Sequence, residues 1–140
     1  LGANLIASGS PAMREILKAL RDGETGGLLM DQVPRQGQGV FTPFFGRPAL
    51  TMTLVQRLVR RTGCAVIFSD CRRLPRGSGW LLDYRQAPPE IADEHPERAA
   101  AALNQCLEES IRAAPDQYLW LYKRFAVQPE GWPNPYLAES

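Results

Sequence analysis

Histidine is the scarcest chemical resource in this sequence. The 140 residues contain one, His95, in the stretch "ADEHPER". A lone imidazole among charged residues ahead of a helix reads as a solvated side chain rather than a base or ligand. No Ser-His-Asp or Cys-His set can be assembled around it, and one histidine with scattered cysteines gives no convergent metal site. The three cysteines, Cys64, Cys71 and Cys106, are odd in number and lack CxxC spacing. That excludes a disulfide framework and points to a reducing compartment; two of the three sit in apolar stretches, as small buried thiols do. No apolar run approaches the roughly 20 residues of a membrane-spanning helix. The opening "LGANLIASGS" has no starting Met, no basic n-region and no long apolar core, so it is not a signal peptide and resembles the interior of a protein.

A mean composition remains: 44% hydrophobic and 22% charged residues, which suits one compact domain or part of a larger one. The net charge of +1 is unevenly spread. Residues 1–90 carry 12 Lys/Arg against 7 Asp/Glu, and residues 91–140 carry 4 against 8. The basic part can attract an anionic partner, but it is too weakly basic, and too short of motifs, for nucleic acid.

Periodicity predicts a helix from Ser10-Pro11, with Met13, Ile16, Leu17 and Leu20 on one face and Gly23 as a left-handed cap. "GGLLMD" reads as a short buried strand ending at Asp31, followed by a glycine-rich loop from Gln32 to Gly39. Residues 48–62 read as a second helix with Leu54, Val55, Leu58 and Val59 inside. "CAVIF" reads as a buried strand, "SDCRRLPRGSG" as a polar turn and "WLLDYR" as a less buried strand ended by Pro88-Pro89. Pro96–Ala113 reads as a long helix, "DQYLWLYKRF" as a short aromatic helix, and "QPEGWPNPY" as irregular. Helices alternating with strands predict an α/β fold, a sheet with helices on its faces. Three or four strands are few for a covered sheet, so part of the sheet is expected upstream of Leu1.

Several positions carry candidate chemistry. Asp31 ends a predicted strand, where α/β proteins place their sites. It can hold a histidine or arginine or bond a substrate hydroxyl, and equally it can simply start a turn. "PRQGQG", with Arg35 beside it, can cradle an anion on backbone N–H groups, but it is not a P-loop and a flexible turn is the plainer reading. Phe41, Phe44 and Phe45 can line an apolar channel or fill a core. Arg57, Arg60 and Arg61 make either a solvated helix face or a docking surface for an acidic partner or anionic membrane. Arg72 and Arg73 follow a strand and pose the same choice.

In order along the chain, "LLMDQVPRQGQGVFTPFFGRPALT", "RRTGCAVIFSDCRR", "PDQYLWLYKRF" and "PEGWPNPY" resemble the lipid A biosynthesis acyltransferases, the lauroyl/myristoyl transferase family of Gram-negative bacteria. The resemblance covers nearly the whole chain. It implies a lysophospholipid-acyltransferase-like mixed sheet flanked by helices, incomplete on its N-terminal side, with residues 1–125 as the C-terminal part of an acyltransferase domain and 126–140 as a proline-rich tail. It implies transfer of a fatty acyl chain from acyl carrier protein to a hydroxyl of a lipid A precursor at the cytoplasmic face of the inner membrane, without metal or other cofactor. The family's histidine base, followed five positions later by an acid, is not in this chain: Ala100 stands at that offset from His95. The pair is expected upstream of residue 1, and the 140 residues alone are expected to be inactive. A non-catalytic module of the same fold, binding lipid or a carrier protein, is the alternative, and a domain binding a phosphorylated small molecule through "RQGQG" a third.

Residue by residue, the resemblance makes Asp31 the supporting acid of the active site. It gives Gln32 and Arg35 the polar head or its phosphates. Phe41, Pro43, Phe44, Phe45 and Gly46 match the family's aromatic block and are assigned to the walls of a substrate channel, with Arg72 and Arg73 as further substrate-binding residues. Trp120 and Arg124 match a terminal W-x-x-x-R pattern of structural character. The chain departs from the family's common residues at Met30 and Phe68, where proline is usual, and at Tyr122-Lys123, where His-Arg is usual.

Overall fold

The structure is a computed structural model that describes residues 5–6 and 10–137, with side chains for 5, 6 and 13–137. The capping role expected of Ser10 and Pro11, the reading of the first residues, and the end of the tail lie outside the described residues or side chains.

Helix α1 (Ser10–Arg21) runs as its periodicity predicts, and Gly23 follows with φ 82° as the left-handed stop. The next apolar stretch does not form the expected strand. Residues 26–29 are irregular and Met30 begins a turn, so the stretch lies in no ladder, with Leu29 69% exposed. A strand needs a neighbour to take its N–H and C=O groups, and each of the four described strands is paired with its own hairpin partner.

The second correction concerns residues 39–52. The helix expected from Pro48 begins only at Leu54. Before it, β1 (Gly39–Phe44) and β2 (Arg47–Met52) form an antiparallel hairpin in which Phe41 faces Leu50 and Pro43 faces Pro48. Phe45 (φ 48°) and Gly46 (φ 75°) make its two-residue turn, both left-handed, as in a type I′ hairpin. Gly39 is required by close approach: a Cβ there would come within 2.6 Å of Pro34 Cγ and of the Thr51 carbonyl oxygen. The loop before it is thus packed tightly onto the hairpin.

Helix α2 (Leu54–Thr62) buries Val55, Gln56 and Leu58, and Gly63 (φ 69°) ends it by donating its N–H to the Val59 carbonyl. A second hairpin follows, β3 (Ile67–Arg73) with β4 (Trp80–Gln86). Strand β3 therefore starts within "CAVIF" and takes in Ser69–Arg73, which were expected to be a turn; the turn is confined to residues 74–79. The ladder with β4 supplies the hydrogen bonds that the polar sequence by itself does not advertise.

Helix α3 (Pro96–Ala113) matches the sequence expectation at both ends. Pro96 occupies its first position, where no N–H is needed, and the His95 carbonyl accepts the N–H groups of Arg98 and Ala99. The expected aromatic helix after it is absent. A single 3-10 turn, Pro115–Gln117, leads into a chain of tight turns through residue 126. Irregular backbone is stable there because its side chains, described below, bond to the rest of the fold.

The α/β class holds, with the strands arranged as two separate hairpins. Two core clusters lie against α3. Val55, Phe68, Ile91, Leu103 and Cys106 form one, and Phe44, Ala49 and Ile111 the other. The tail folds back onto the second, since the Phe125 N–H donates to the Tyr136 hydroxyl and Asn134 Nδ2 donates to the Ala126 carbonyl. Among the described residues no helix is long and apolar enough to cross a membrane.

Candidate active-site corner

The glycine-rich loop, the β1–β2 hairpin, α3 and the turns of residues 118–125 meet at one corner. Its centre is Arg124, 2% exposed. The guanidinium donates to the Leu50 carbonyl (2.7 Å) and the Thr51 hydroxyl (2.8 Å), and more distantly to Asn104 Oδ1 (3.4 Å). The Thr51 hydroxyl lies 3.1 Å from both the Ala49 carbonyl and Asn104 Oδ1, and donates to one of them. Asn104 Nδ2 completes the set by donating to the Pro43 carbonyl at 2.8 Å. One cation thus ties β2, α3 and the C-terminal turns together, and Asn104 extends the tie to β1. Burial lowers the Arg124 pKa, opposed by nearby Tyr118, Tyr122 and Asp31. A guanidinium keeps its proton under such pressure, so the corner has a fixed positive charge. The ring of Phe44, 2% exposed, lies under it at 5.2 Å.

Asp31 joins this corner from the loop side. It is half-buried, and its charge acts on both Arg124 and the Tyr118 phenol. The Tyr118 pKa is pushed up to about 12, first by burial and then by Asp31. Its hydroxyl is buried and makes no hydrogen bond among the described residues. Two residues beyond Asp31, the Val33 N–H donates to the Tyr122 hydroxyl at 2.7 Å. The first and last motif blocks, 89 positions apart at this contact, are therefore in direct contact.

The hairpin turn forms the corner's rim. The Phe45 N–H donates to Glu108 Oε1 at 2.7 Å, while Glu108 Oε2 accepts from Arg112 at 2.7 Å. The Arg112 guanidinium sits 4.9 Å over the Phe45 ring, which also meets Phe44 edge-on at 4.8 Å and Trp120 at 6.4 Å. A phenylalanine with positive φ is strained, and the Glu108 carboxylate is the contact that holds this turn. Phe41 (37% exposed), Pro43 and Gly46 lie at the surface of the same hairpin, and Gln32 and Arg35 are exposed on the loop. Trp120, 58% exposed, is fixed by its indole N–H to the Pro115 carbonyl.

Arg72 and Arg73 lie on the other hairpin. Arg72, opposite Leu81 in the register, reaches diagonally to the Asp83 carboxylate at 3.8 Å. Arg73 exchanges backbone hydrogen bonds with the Gln117 amide and stacks on Trp80 at 4.9 Å. His95 is on the α3 N-terminus, its backbone N–H donating to Asp93 Oδ1 and its imidazole 3.5 Å from Glu94. Among the described residues no three His, Cys, Asp or Glu side chains converge as metal ligands.

Sequence reasoning missed Thr51, Asn104, Glu108, Tyr118 and Tyr122. Asn104 carried a signal, since it is an amide next to Leu103 inside the apolar stripe of α3. Tyr122 stood out only as a departure from the family's usual residue.

A model of the family described as bacterial lipid A biosynthesis acyltransferase matches residues 1–126. The chain belongs to that family. It is similar to the lipid A biosynthesis lauroyltransferase of Escherichia coli K12 (35% identity, 89% of this chain, 41% of the relative) and to the palmitoleoyltransferase of the same strain (31% identity, 96% and 44%). A lipid A biosynthesis acyltransferase of Haemophilus influenzae is 32% identical over 84% of this chain and 39% of its own length. The chain thus spans less than half the length of the curated relatives it matches. The Arg124 corner lies within the matched residues and gathers Asp31, the Phe-Pro-Phe-Phe-Gly block and the terminal aromatic block.

Proposed function

We propose that the corner forms one side of the active site of an acyltransferase that moves a fatty acyl chain from acyl carrier protein to a hydroxyl of a lipid A precursor, at the cytoplasmic face of the inner membrane. The observation that carries this reading is the meeting of Asp31 with the aromatic hairpin around a buried cation. A carboxylate whose charge acts on a buried cation, with the aromatic hairpin packed against the same cation, suits a ligand with a polar head and an oily chain. In the reaction a base takes the proton of the acceptor hydroxyl, the oxygen attacks the thioester carbonyl, and the carrier's thiolate leaves and is reprotonated. Asp31 orients that base or the acceptor hydroxyl. Gln32 and Arg35 meet the head group, and Phe41, Pro43, Phe45 and Gly46 flank the chain over the Phe44 floor; Arg72 and Arg73, on the other hairpin and engaged with Asp83, Gln117 and Trp80, stand outside this corner. Trp120 and Arg124 hold the frame. The reaction needs neither metal nor organic cofactor. Residues 1–125 belong to the transferase domain, and 126–140 are its tail.

His95, exposed and engaged with Glu94, is unsuited as the base. The His-x4-Asp/Glu pair belongs to the portion of the family's length that this chain does not span, so the 140 residues by themselves transfer nothing. The test is acyl transfer from acyl carrier protein by the 140-residue chain and by the chain joined to that portion, with and without Asp31→Ala. The joined protein should be active and the short chain silent. Asp31→Ala should lower turnover about 100-fold with little change in melting temperature. Transfer by the short chain, or an unchanged rate in the variant, would remove these assignments.

A further inference from the structure

The β3–β4 hairpin has two unlike faces. The inner one packs on α3: Phe68 is buried, and Arg85 donates to the Cys106 carbonyl and the Ser110 hydroxyl while pairing with Asp70 at 3.2 Å. On the outer face the register sets Ile67 beside Gln86, Ser69 beside Tyr84, Cys71 beside Leu82 and Arg73 beside Trp80. Four large apolar side chains stand there in the open: Ile67 (55% exposed), Leu82 (56%), Tyr84 (64%) and Trp80 (60%). A contiguous apolar face of this kind marks a contact surface.

We propose that the outer face of β3–β4 seats an amphipathic helix from the portion of the lipid A acyltransferase fold that this chain does not span. The proposal uses the family membership and is independent of the acyl-transfer reading. Dimensions favour a helix. Strands about 4.8 Å apart make a two-stranded face roughly 10 Å wide, the breadth of one helix with its side chains. Seven residues of strand, about 24 Å, match roughly 16 residues of helix. A helix there would complete the helix–sheet–helix layering that α3 begins. Length is available too, since more than half of each relative lies outside the stretch this chain matches. An anionic bilayer fits less well: the face carries one cation, Arg73, and its guanidinium is already stacked on Trp80.

Cys71 sits on this face and is exposed, whereas Cys106 is buried, so in a Cys64→Ser background maleimide labelling reports cover over Cys71. Three preparations are compared: the 140-residue chain over a range of concentrations, the same chain with phosphatidylglycerol vesicles, and the chain joined to the portion of the E. coli lauroyltransferase that it does not span. Labelling should be fast in the first two and about 50-fold slower in the third, the protection expected of a stably packed layer. In the joined protein Leu82→Asp should restore fast labelling, while leaving the stability of the short chain unchanged. Equal rates in all three preparations would overturn the proposal. Protection by concentration, which means a second copy, or by vesicles, which means a membrane, would overturn it as well.

Discussion

The β1–β2 and β3–β4 hairpins are built alike and used differently. Both are antiparallel, both pack on α3, and each contains six or seven residues per strand. The first is enclosed: Phe44, Ala49, Leu50 and Thr51 are buried, and the Arg124 network reaches it from outside its own ladder. The second is closed on one face only. The difference teaches where this chain carries its own stability. A hairpin alone is marginal in water; Arg85 and Gln117 tie the second to the fold along one face, whereas the first has a fully buried cation and a tail wrapped about it.

That contrast can be broken first at Arg124. Arg124→Ala would leave the Leu50 carbonyl, Thr51 and Asn104 without their buried donor, and should cost about 3–5 kcal/mol in chemical denaturation. Arg124→Lys should recover little of it, because an ammonium cannot span the same acceptors. A loss under about 1 kcal/mol would make the two hairpins equivalent in stability.

Tyr118 gives a smaller, pH-dependent effect. A phenol whose folded pKa is raised contributes stability that is complete below its ordinary value of 10 and is lost as pH rises through about 12. Partial solvent screening puts the loss at about 1–2 kcal/mol, below what two full units would give. Tyr118→Phe should remove that alkaline step. At neutral pH it should be neutral or slightly stabilising, since among the described residues the buried hydroxyl has no partner to lose. Melting curves of both proteins between pH 8 and about 12 check the sign.

The smallest effect belongs to the open hairpin. Leu82→Ser and Tyr84→Ser should change the stability of the 140-residue chain by no more than about 0.5 kcal/mol, as exposed positions do, while raising its solubility. A large loss would mean that the outer face already has a partner within the chain.

Much of this was legible because helices announce themselves. The apolar spacing in α1, α2 and α3, the left-handed glycines 23 and 63, and Pro96 at a first helical turn each depend on local physics alone. The β1–β2 hairpin was hidden because its turn is Phe45-Gly46 rather than Asn-Gly, and because prolines at 43 and 48 argue against strands until they are seen opposite each other. "GGLLMD" has strand composition, but composition cannot supply a neighbour. "DQYLWLYKRF" lost its helix to tertiary bonds from Tyr122 and Arg124 that no window of sequence contains. At the corner, Asp31 was picked for the end of a strand that does not form, and its charge still reaches Tyr118 and Arg124. The polar frame of Thr51, Asn104 and Glu108 joins residues more than fifty positions apart and has no local signature.

The joining of the glycine-rich loop to the C-terminal turns is tested most directly by hydrogen exchange at the Val33 amide, in the 140-residue chain and in Tyr122→Phe. The wild-type amide should be protected, because its only hydrogen bond among the described residues runs to the Tyr122 hydroxyl, and the substitution should speed exchange about tenfold or more with global stability nearly unchanged. An amide that exchanges freely in the wild type, or equally slowly in both proteins, would contradict the corner that holds Asp31 in place.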